Sequence, residues 1–469
     1  MALVVKNNMQ ATGTLNQLDK NADLMAKDLK KVSSGMKINS AEDDASGYSI
    51  TDRMDVQTKA LYQDNQNTQN GTAMLKTASG AIDSTVDILR TMKEKAIDAA
   101  NDTNTDADRA TIQKQLNQAI DQIDDNANVT YNGQLLIDGS KNSQVVGLGT
   151  YTTFTNTRLS AVDKYSDLDP STIPLTYVKD AGGDPLYISK NDTIVVSYII
   201  NGENKSATLS AYDENAANYA AMDEGRIQLG EIRSLKTIFD KDPMKSDLEF
   251  RAGDGKITDP DYTYIGKDKS GNAVHTANGE TAINIVSRHA GLVGQISGLS
   301  IAIMDPEGNV RQPIDTILNT FTETIRAENA SPDNSVVFQT GTKANQNVKI
   351  GLTDMRSVAL GLKAQDGSML NVSTQANANV AINALDNALQ KALNQQTDVG
   401  SVESRLEYTS MNITTSAENT TAAMSTIRDA DMAKEMTEYT KHSILTQTAQ
   451  AMLAQANTNG SAVLSLLRE

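Results

Sequence analysis

Between residues 15 and 36 the apolar positions alternate in fixed steps. Leu15, Leu18, Ala22, Met25, Leu29, Val32 and Met36 follow one another by 3, 4, 3, 4, 3 and 4 residues. That spacing returns a side chain to one narrow stripe of an α-helix, the a/d seam of a coiled coil. Most positions between them are polar: Asn16, Gln17, Asp19, Lys20, Asn21, Lys27, Asp28, Lys30 and Lys31, with Leu24 the exception. So narrow a stripe predicts a helix that meets a partner along a line and does not sink into a broad core. Burying seven such side chains contributes on the order of 10 kcal/mol. Ordering the backbone costs about 1–2 kcal/mol per residue, only partly offset by helical hydrogen bonds. Alone the segment is expected to be largely disordered; docked on other helices it can order.

Ser33-Ser34-Gly35-Met36-Lys37-Ile38-Asn39-Ser40 interrupts the helix with a glycine and several capping side chains. Asp43 and Asp44 then favour a new helix start, with a pairing to Arg53 or to basic groups of a neighbouring subunit as a further role. The seam returns at Leu75, Ala78, Ile82, Thr85, Leu89, Met92 and Ala96, with the same steps. A continuous helix from Val56 to Ala100 would be roughly 65 Å long at the α-helical rise. Gly71 and Gly80 each weaken it by about 1 kcal/mol. After Asn101-Asp102-Thr103-Asn104, the residues Ile112, Leu116, Ile120 and Ile123 predict a third helix. Tyr131-Asn132-Gly133 reads as a turn into a short strand at Leu135-Leu136-Ile137.

The middle of the chain has another texture. All eight prolines lie between Pro170 and Pro332, and all five phenylalanines between Phe154 and Phe338. Proline costs a helix a hydrogen bond and clashes with the preceding turn, so the proline-free flanks suit long helices and the middle suits a separate globular insert. Within it, Ile194 to Ile200, Asn201-Gly202-Glu203-Asn204 and Lys205 to Leu209 read as a β-hairpin. Ile283 to Ile303 and Ile314 to Ile325 fit short helices or strands equally. Helical spacing resumes after Asn371 with Ile382, Leu385, Leu389, Leu393, Val399, Val402, Leu406 and Ile413. A last helix carries Met432, Met436, Tyr439, Leu445, Ala449, Met452 and Ala456, with an end expected near Asn459-Gly460, ahead of the apolar tail Val463-Leu464-Ser465-Leu466-Leu467.

Charge narrows the partners. With 59 acidic and 42 basic side chains the formal net charge is -17, which repels nucleic acid and anionic membranes. The absence of Cys removes disulfides and thiolate metal sites. No apolar run is long enough to span a bilayer. The opening Met1-Ala2-Leu3-Val4-Val5-Lys6-Asn7-Asn8 turns polar too soon for a cleavable signal peptide, so the chain is expected either to stay in the cytoplasm or to be exported by a route that reads none. Trp is absent and aromatic residues make up 4% of the chain, so its cores rest on Leu, Ile, Val, Met and Ala, which favours helix seams over a compact enzyme interior.

Four separated motifs resemble one family. Ser33-Ser34-Gly35-Met36-Lys37-Ile38-Asn39-Ser40-Ala41-Glu42-Asp43-Asp44-Ala45-Ser46-Gly47 is similar, almost position by position, to the "SSGLRINSAxDDAAG" signature of flagellin, the subunit of the bacterial flagellar filament. Arg405-Leu406-Glu407-Tyr408-Thr409, the run Ile427 to Met436, and the run Gln450 to Asn457 resemble its C-terminal signature, and Val463-Leu464 through Leu467-Arg468 its ending. The resemblance covers roughly residues 1–150 and 340–469 and says nothing of the middle. It implies that both terminal segments pair as a coiled coil lining the filament channel, are disordered in the free subunit and fold on polymerisation. It also implies export through the flagellar secretion channel, a secretion chaperone on the C-terminal helix, and filament cap and junction proteins as partners.

The same resemblance points to one surface patch. Strongly stimulating flagellins carry Q-R-x-R-E-L where the flagellin-sensing Toll-like receptor binds. Here Arg90 stands for the Gln, Thr91 and Lys93 for the arginines, Glu94 is kept and Lys95 replaces the Leu. A hydroxyl and a hydrated ammonium replace a bidentate donor and an apolar anchor, so weak engagement is expected. Other candidate chemistry is thin. His275, His289 and His442 are scattered and form no H-E-x-x-H pair. Gly253 to Asp261 hints at a calcium loop, but aligning its central Gly255 puts Phe250 and Ala252 at ligand positions, so it reads as an acidic turn.

These readings predict a mainly α chain: a long antiparallel helical coiled-coil rod from both termini, with a mixed α/β or β-rich inserted central domain. The expected division is 1–42 with 426–469 as filament-core helices, 43–150 with 340–425 as a helical rod with a short hairpin, and 151–339 as a variable outer domain. The expected function is a structural subunit that polymerises into the flagellar filament for motility, secreted and extracellular, with no enzyme activity, cofactor or metal. The alternatives are a minor hook–filament junction protein of the same family, or a subunit whose insert binds glycans or has hydrolase activity. The assembly residues are expected to be the seam positions of the first helix and those of the last.

Overall fold

The computed structural model describes residues 8–161, 175, 178–180, 186–213, 231–232, 235–252, 264–276 and 282–466. Five long helices carry the termini: α1 (Met9–Ser34), α2 (Ala45–Ala99), α3 (Asp106–Ala127), α4 (Gln375–Arg428) and α5 (Met432–Leu466). The chain divides into two compact units. One takes Met1–Asn70, Gln339–Asn347 and Glu407–Glu469; the other takes Gly71–Phe338 and Val348–Leu406.

In the first unit α1 and α5 pack as an antiparallel pair. The side chain of Asn8 caps the start of α1 by accepting from Ala11 N at 3.1 Å. Gly35 ends the helix in the left-handed region, at φ 70°, and donates to Lys31 O. That conformation is cheap only for glycine. The extended residues beyond it bridge the break between α4 and α5: Lys37 N donates to Arg428 O at 2.8 Å and Ala430 N to Gly35 O at 2.9 Å. Asp431 then starts α5 by accepting from Ala433 N and Lys434 N.

The two acids before α2 divide their work. Asp44 Oδ1 accepts from Ser46 N and Gly47 N, both at 3.0 Å, and caps the helix. Asp43 Oδ2 accepts from Asn39 N, Ser40 N and the Ser40 hydroxyl, and the Asn39 N–H foremost holds its carboxyl below the usual range. Arg53 donates to Ser49 O within its own helix. Further along α2, Leu61 packs with Ile413 and Ala417 of α4, and Ser410 donates to Asn65 at 2.7 Å.

In the second unit every position of the α2 seam from Leu75 to Ala96 is buried, Thr85 included. Thr85 tolerates this because its hydroxyl donates to Ala81 O. The helix runs unbroken through Gly71 and Gly80. Helix α3 starts with a capping box between Thr105 and Asp108, and buries Ile112, Leu116, Ile120 and Ile123. With Leu385, Val399 and Leu406 of α4 these residues form one apolar core. Strands β1 (Thr130–Tyr131) and β2 (Gln134–Leu135) close over Asn132 and Gly133. The short strand thus begins one residue before the expected position, and Leu136 and Ile137 enter the core.

The insert is β-rich. One antiparallel sheet has the order Leu248–Ala252 (β6), Ile283–Ser287 (β7), Thr153–Asn156 (β3) and Thr322–Ile325 (β9). A second has the order Ile296–Met304 (β8), Thr193–Ile200 (β4) and Glu203–Ser210 (β5). The expected hairpin is β4–β5, with a tighter turn than the sequence indicated. Asn201 and Gly202, at φ 48° and 75°, form it alone, and Glu203 and Asn204 already pair as strand. Ile283 to Ile303 resolves into β7 and β8, and the second ambiguous stretch into a helix, Gln312–Leu318, followed by β9.

Strand β8 lies at the edge of its sheet and against α4. Asn383 donates to Leu299 O at 3.0 Å, Asn387 to Ser297 O at 2.7 Å, and Lys391 to Ala359 O at 2.7 Å. These α4 residues recur every fourth position and so share one helix face. Gly298 permits the approach, since a Cβ there would stand 2.8 Å from Val380 O.

One boundary differs from expectation. Helix α5 runs past Asn459-Gly460 to Leu466. A single glycine costs a helix about 1 kcal/mol, which does not terminate one of this length. The residues read as an acidic turn, 253–261, lie outside the described residues.

Candidate functional site

The α1–α5 pair is where most of the predicted assembly residues meet. Its interior is not the apolar seam that the sequence spells out. Facing α5 from α1 are Ala11, Thr14, Leu18, Asn21, Met25, Asp28 and Val32, of which Asn21 and Asp28 are buried. Facing them from α5 are Glu435, Tyr439, His442, Thr446, Ala449, Leu453 and Ala456, of which Thr446, Ala449 and Ala456 are buried. Small and polar side chains therefore fill much of the interface between the two helices.

Several of the polar members are held. His442 Nδ1 lies 2.6 Å from Asp28 Oδ2, and Thr446 donates to His442 O at 2.8 Å. Lys31 and Glu435 pair at 3.6 Å. At the far end Asn8 Nδ2 donates to Ala456 O at 3.1 Å. Buried polar groups cost little once hydrogen-bonded, and much when left alone.

The predicted seam is thus split. Leu18, Met25 and Val32 of α1 are half-buried against α5, as are Ala22 and Met36 at its margins. Leu15 and Leu29 face outward. On α5, Ala449 and Ala456 are buried and Tyr439 half-buried, while Met432, Met436, Leu445 and Met452 face outward. Together with Leu24 and Ile444, which the sequence reading left out of the site, these residues are 40 to 57% exposed. Along α1, Leu15 and Leu29 share one heptad line, and along α5, Leu445 and Met452 share another, so each helix carries a line of large apolar side chains outside the interface. A signal for the polar interior does exist in the sequence: Thr14, Asn21, Asp28 and Gly35 recur every seventh residue, in step with the seam.

The receptor-like patch sits on α2 in the second unit. Arg90 pairs with Asp87 at 3.0 Å, and Thr91 donates to Asp87 O. Lys93 reaches Asp386 of α4 at 2.5 Å. Glu94 is exposed and Lys95 half-buried. Two of the five side chains are thus engaged on the subunit itself through charge pairs.

The other two histidines lie apart from His442 in sequence and in surroundings. His275 meets the Tyr264 ring edge-on at 5.7 Å, and His289 N donates to the Ser287 hydroxyl. Among the described residues no group of three or more His, Asp or Glu side chains is placed to hold a metal ion, and no helix is long and apolar enough to cross a membrane.

Residues 5–142 match the bacterial flagellin N-terminal helical region and residues 382–467 the bacterial flagellin C-terminal helical region. A flagellin of Clostridium tyrobutyricum is 31% identical over 97% of this chain and 99% of its own length. A flagellin of Aquifex aeolicus is 29% identical over the full length of both chains. Among solved structures, FliC from Burkholderia pseudomallei is similar over 71% of this chain and 99% of its own, at 16% identity and a TM-score of 0.25.

Proposed function

The chain belongs to the bacterial flagellin family and is a structural subunit of the flagellar filament; from this premise we propose that the outward stripes of α1 and α5 are the surfaces through which successive copies assemble. The observation that carries this reading is the split of the predicted seam, with Leu18, Met25, Val32 and Tyr439 half-buried between the helices beside polar Asn21, Asp28 and Thr446, and Leu15, Leu29, Leu445 and Met452 exposed outside. An isolated subunit gains nothing from a solvated apolar stripe on each terminal helix. A polymer buries both. Half-exposed Leu and Met side chains each contribute on the order of 1 kcal/mol when fully covered, and contacts that repeat without closing build a helical filament. The half-buried seam residues Leu18, Ala22, Met25, Val32, Met36 and Tyr439, with buried Ala449 and Ala456, set the spacing between the two helices on which those stripes depend.

The subunit is exported through the flagellar secretion channel, and rotation of the extracellular filament drives motility. In this reading residues 1–42 and 426–469 form the filament core, 43–150 and 340–425 the surrounding helical rod, and 151–339 the outer domain. A secretion chaperone covers the apolar stripe of α5 before assembly, and cap and junction proteins meet the same helices at the filament ends. The chain carries out no catalysis. The Toll-like receptor is engaged weakly, because Arg90 and Lys93 are already paired on the subunit and Lys95 puts an ammonium where an apolar anchor is needed. Reporter-cell potency equal to that of a strongly stimulating flagellin would overturn that part.

The principal test is seeded growth. Purified chain added to sheared filament fragments should elongate them into filaments visible by electron microscopy. Failure to elongate under conditions that support other flagellins would refute the assembly reading. Copy number in sheared surface filaments separates a filament subunit from a junction protein, which is scarce.

A further inference from the structure

The two terminal helices have a more apolar way to pack than the one they adopt. A rotation of each helix by about 50°, half the angle between successive residues, would bring Leu15, Ala22 and Leu29 inward beside Leu18, Met25 and Val32. On α5 the same turn would bring Leu445 and Met452 inward beside Ala449 and Ala456. That arrangement is the seam that the heptad spacing spells out, and it would satisfy the helix pair within one subunit. It would also consume the stripes through which copies meet.

We propose that the bond between buried Asp28 and half-buried His442 sets the rotational setting of α1 against α5, so that the large apolar side chains stay outward for neighbouring subunits. The pair lies across the helix interface, 2.6 Å between Nδ1 and Oδ2, with Asn21 and Thr446 buried beside it toward the Asn8 end. The backbone hydrogen bonds near Gly35 and Arg428 fix the helices along their axes at one end. They leave rotation about those axes to the side chains. Turning to the apolar seam would carry Asp28 out of the interface, break its bond to His442 and bring Leu29 into its place. A buried polar pair that specifies one geometry of a coiled coil at a cost in stability has this physical logic, and here the excluded alternative is the subunit closing on itself.

The inference rests on the outward stripes being the assembly surfaces, and one set of full-length variants separates the two ideas. Replacing both partners, Asp28→Leu with His442→Leu, should let the helices close on their apolar seam. The free chain should then gain helix and exchange protection at its termini, and the critical concentration for seeded growth should rise at least about tenfold. Exchanging the partners, Asp28→His with His442→Asp, keeps the bond and should restore growth to within about twofold of the parent. Parent-like growth of the double leucine variant overturns the inference, as does an exchanged pair that behaves like the leucine variant. Leu29→Asp serves as the companion: if it too assembles normally, the assembly surfaces themselves are wrong, and if it alone fails, only the role of the pair is wrong.

Discussion

Leu29 and Met452 are the residues on which the assembly reading is most exposed to test. Each is a large apolar side chain more than half exposed on the single chain, at 51% and 55%. A charge there costs the isolated subunit little. In the proposed assembly it would be buried against a neighbour, where an ionised carboxylate without a partner costs several kcal/mol, on the order of a hundredfold or more in the critical concentration. Leu29→Asp and Met452→Asp are expected to abolish polymerisation while the thermal unfolding of the second unit is unchanged, with sedimentation and calorimetry as the readouts. Normal filaments from either variant would contradict the assignment. Apolar character and helical spacing placed these residues in a seam. Their outward direction was not legible, because neighbouring positions 28 and 29 both fall near the seam and only the packing partner decides which turns in. His442 illustrates the same limit: three scattered histidines in the sequence gave no hint that one would meet Asp28 from 414 positions away.

Among the elements, α4 and β8 bear on how the insert is held. The edge strand β8 has carbonyls that water or another strand would otherwise take, and Asn383 and Asn387 occupy two of them from the helix face. Asn383→Ala and Asn387→Ala should each destabilise the second unit by about 1–2 kcal/mol in urea unfolding, through loss of a bond to a buried carbonyl. Gly298→Val should cost a similar 1–3 kcal/mol, roughly, because its side chain meets the α4 backbone. Strand β9 adds a pH dependence. Burial, opposed by Arg326 and Lys391, pushes the Glu323 carboxyl up to about 7 from its ordinary 4.5, with Arg326 at 3.7 Å. Between those values the folded chain keeps a proton that the unfolded chain gives up. The stabilisation is therefore complete below pH ~4.5 and lost as pH rises through about 7. Glu323→Gln, which stays neutral, should unfold at increasingly higher denaturant than the parent as pH goes from 5 to 8, by up to roughly 3 kcal/mol. A pH-independent difference would dismiss the buried carboxyl. The hairpin β4–β5 was legible because Asn201-Gly202 supplies the two positive φ angles that such a turn demands. The stretches at Ile283 to Ile303 and Ile314 to Ile325 were not, since short apolar runs fit buried strand and buried helix alike.

For the whole chain, the decisive expectation is that its outer helices order with assembly. Amide exchange in dilute subunits should be fast along α1 and α5 and slow along α2 from Leu75 to Ala96, and incorporation into filaments should slow the first set by several orders of magnitude. Firm protection of both termini in dilute solution would contradict the expectation. The linear pattern of residues by itself determined the long helices, their boundaries at Gly35 and Asp44, the buried α2 seam and the family. Helical spacing, caps and motifs are local, so no distant contact is needed to read them. Tertiary structure alone decided which face of each terminal helix turns inward, how β8 docks on α4, and where Glu323 loses its water. These depend on partners distant in the sequence, 84 and 90 positions for the asparagine bonds to β8 and 414 for Asp28 and His442, and burial and hydrogen bonding are properties of the pair, not of either sequence position.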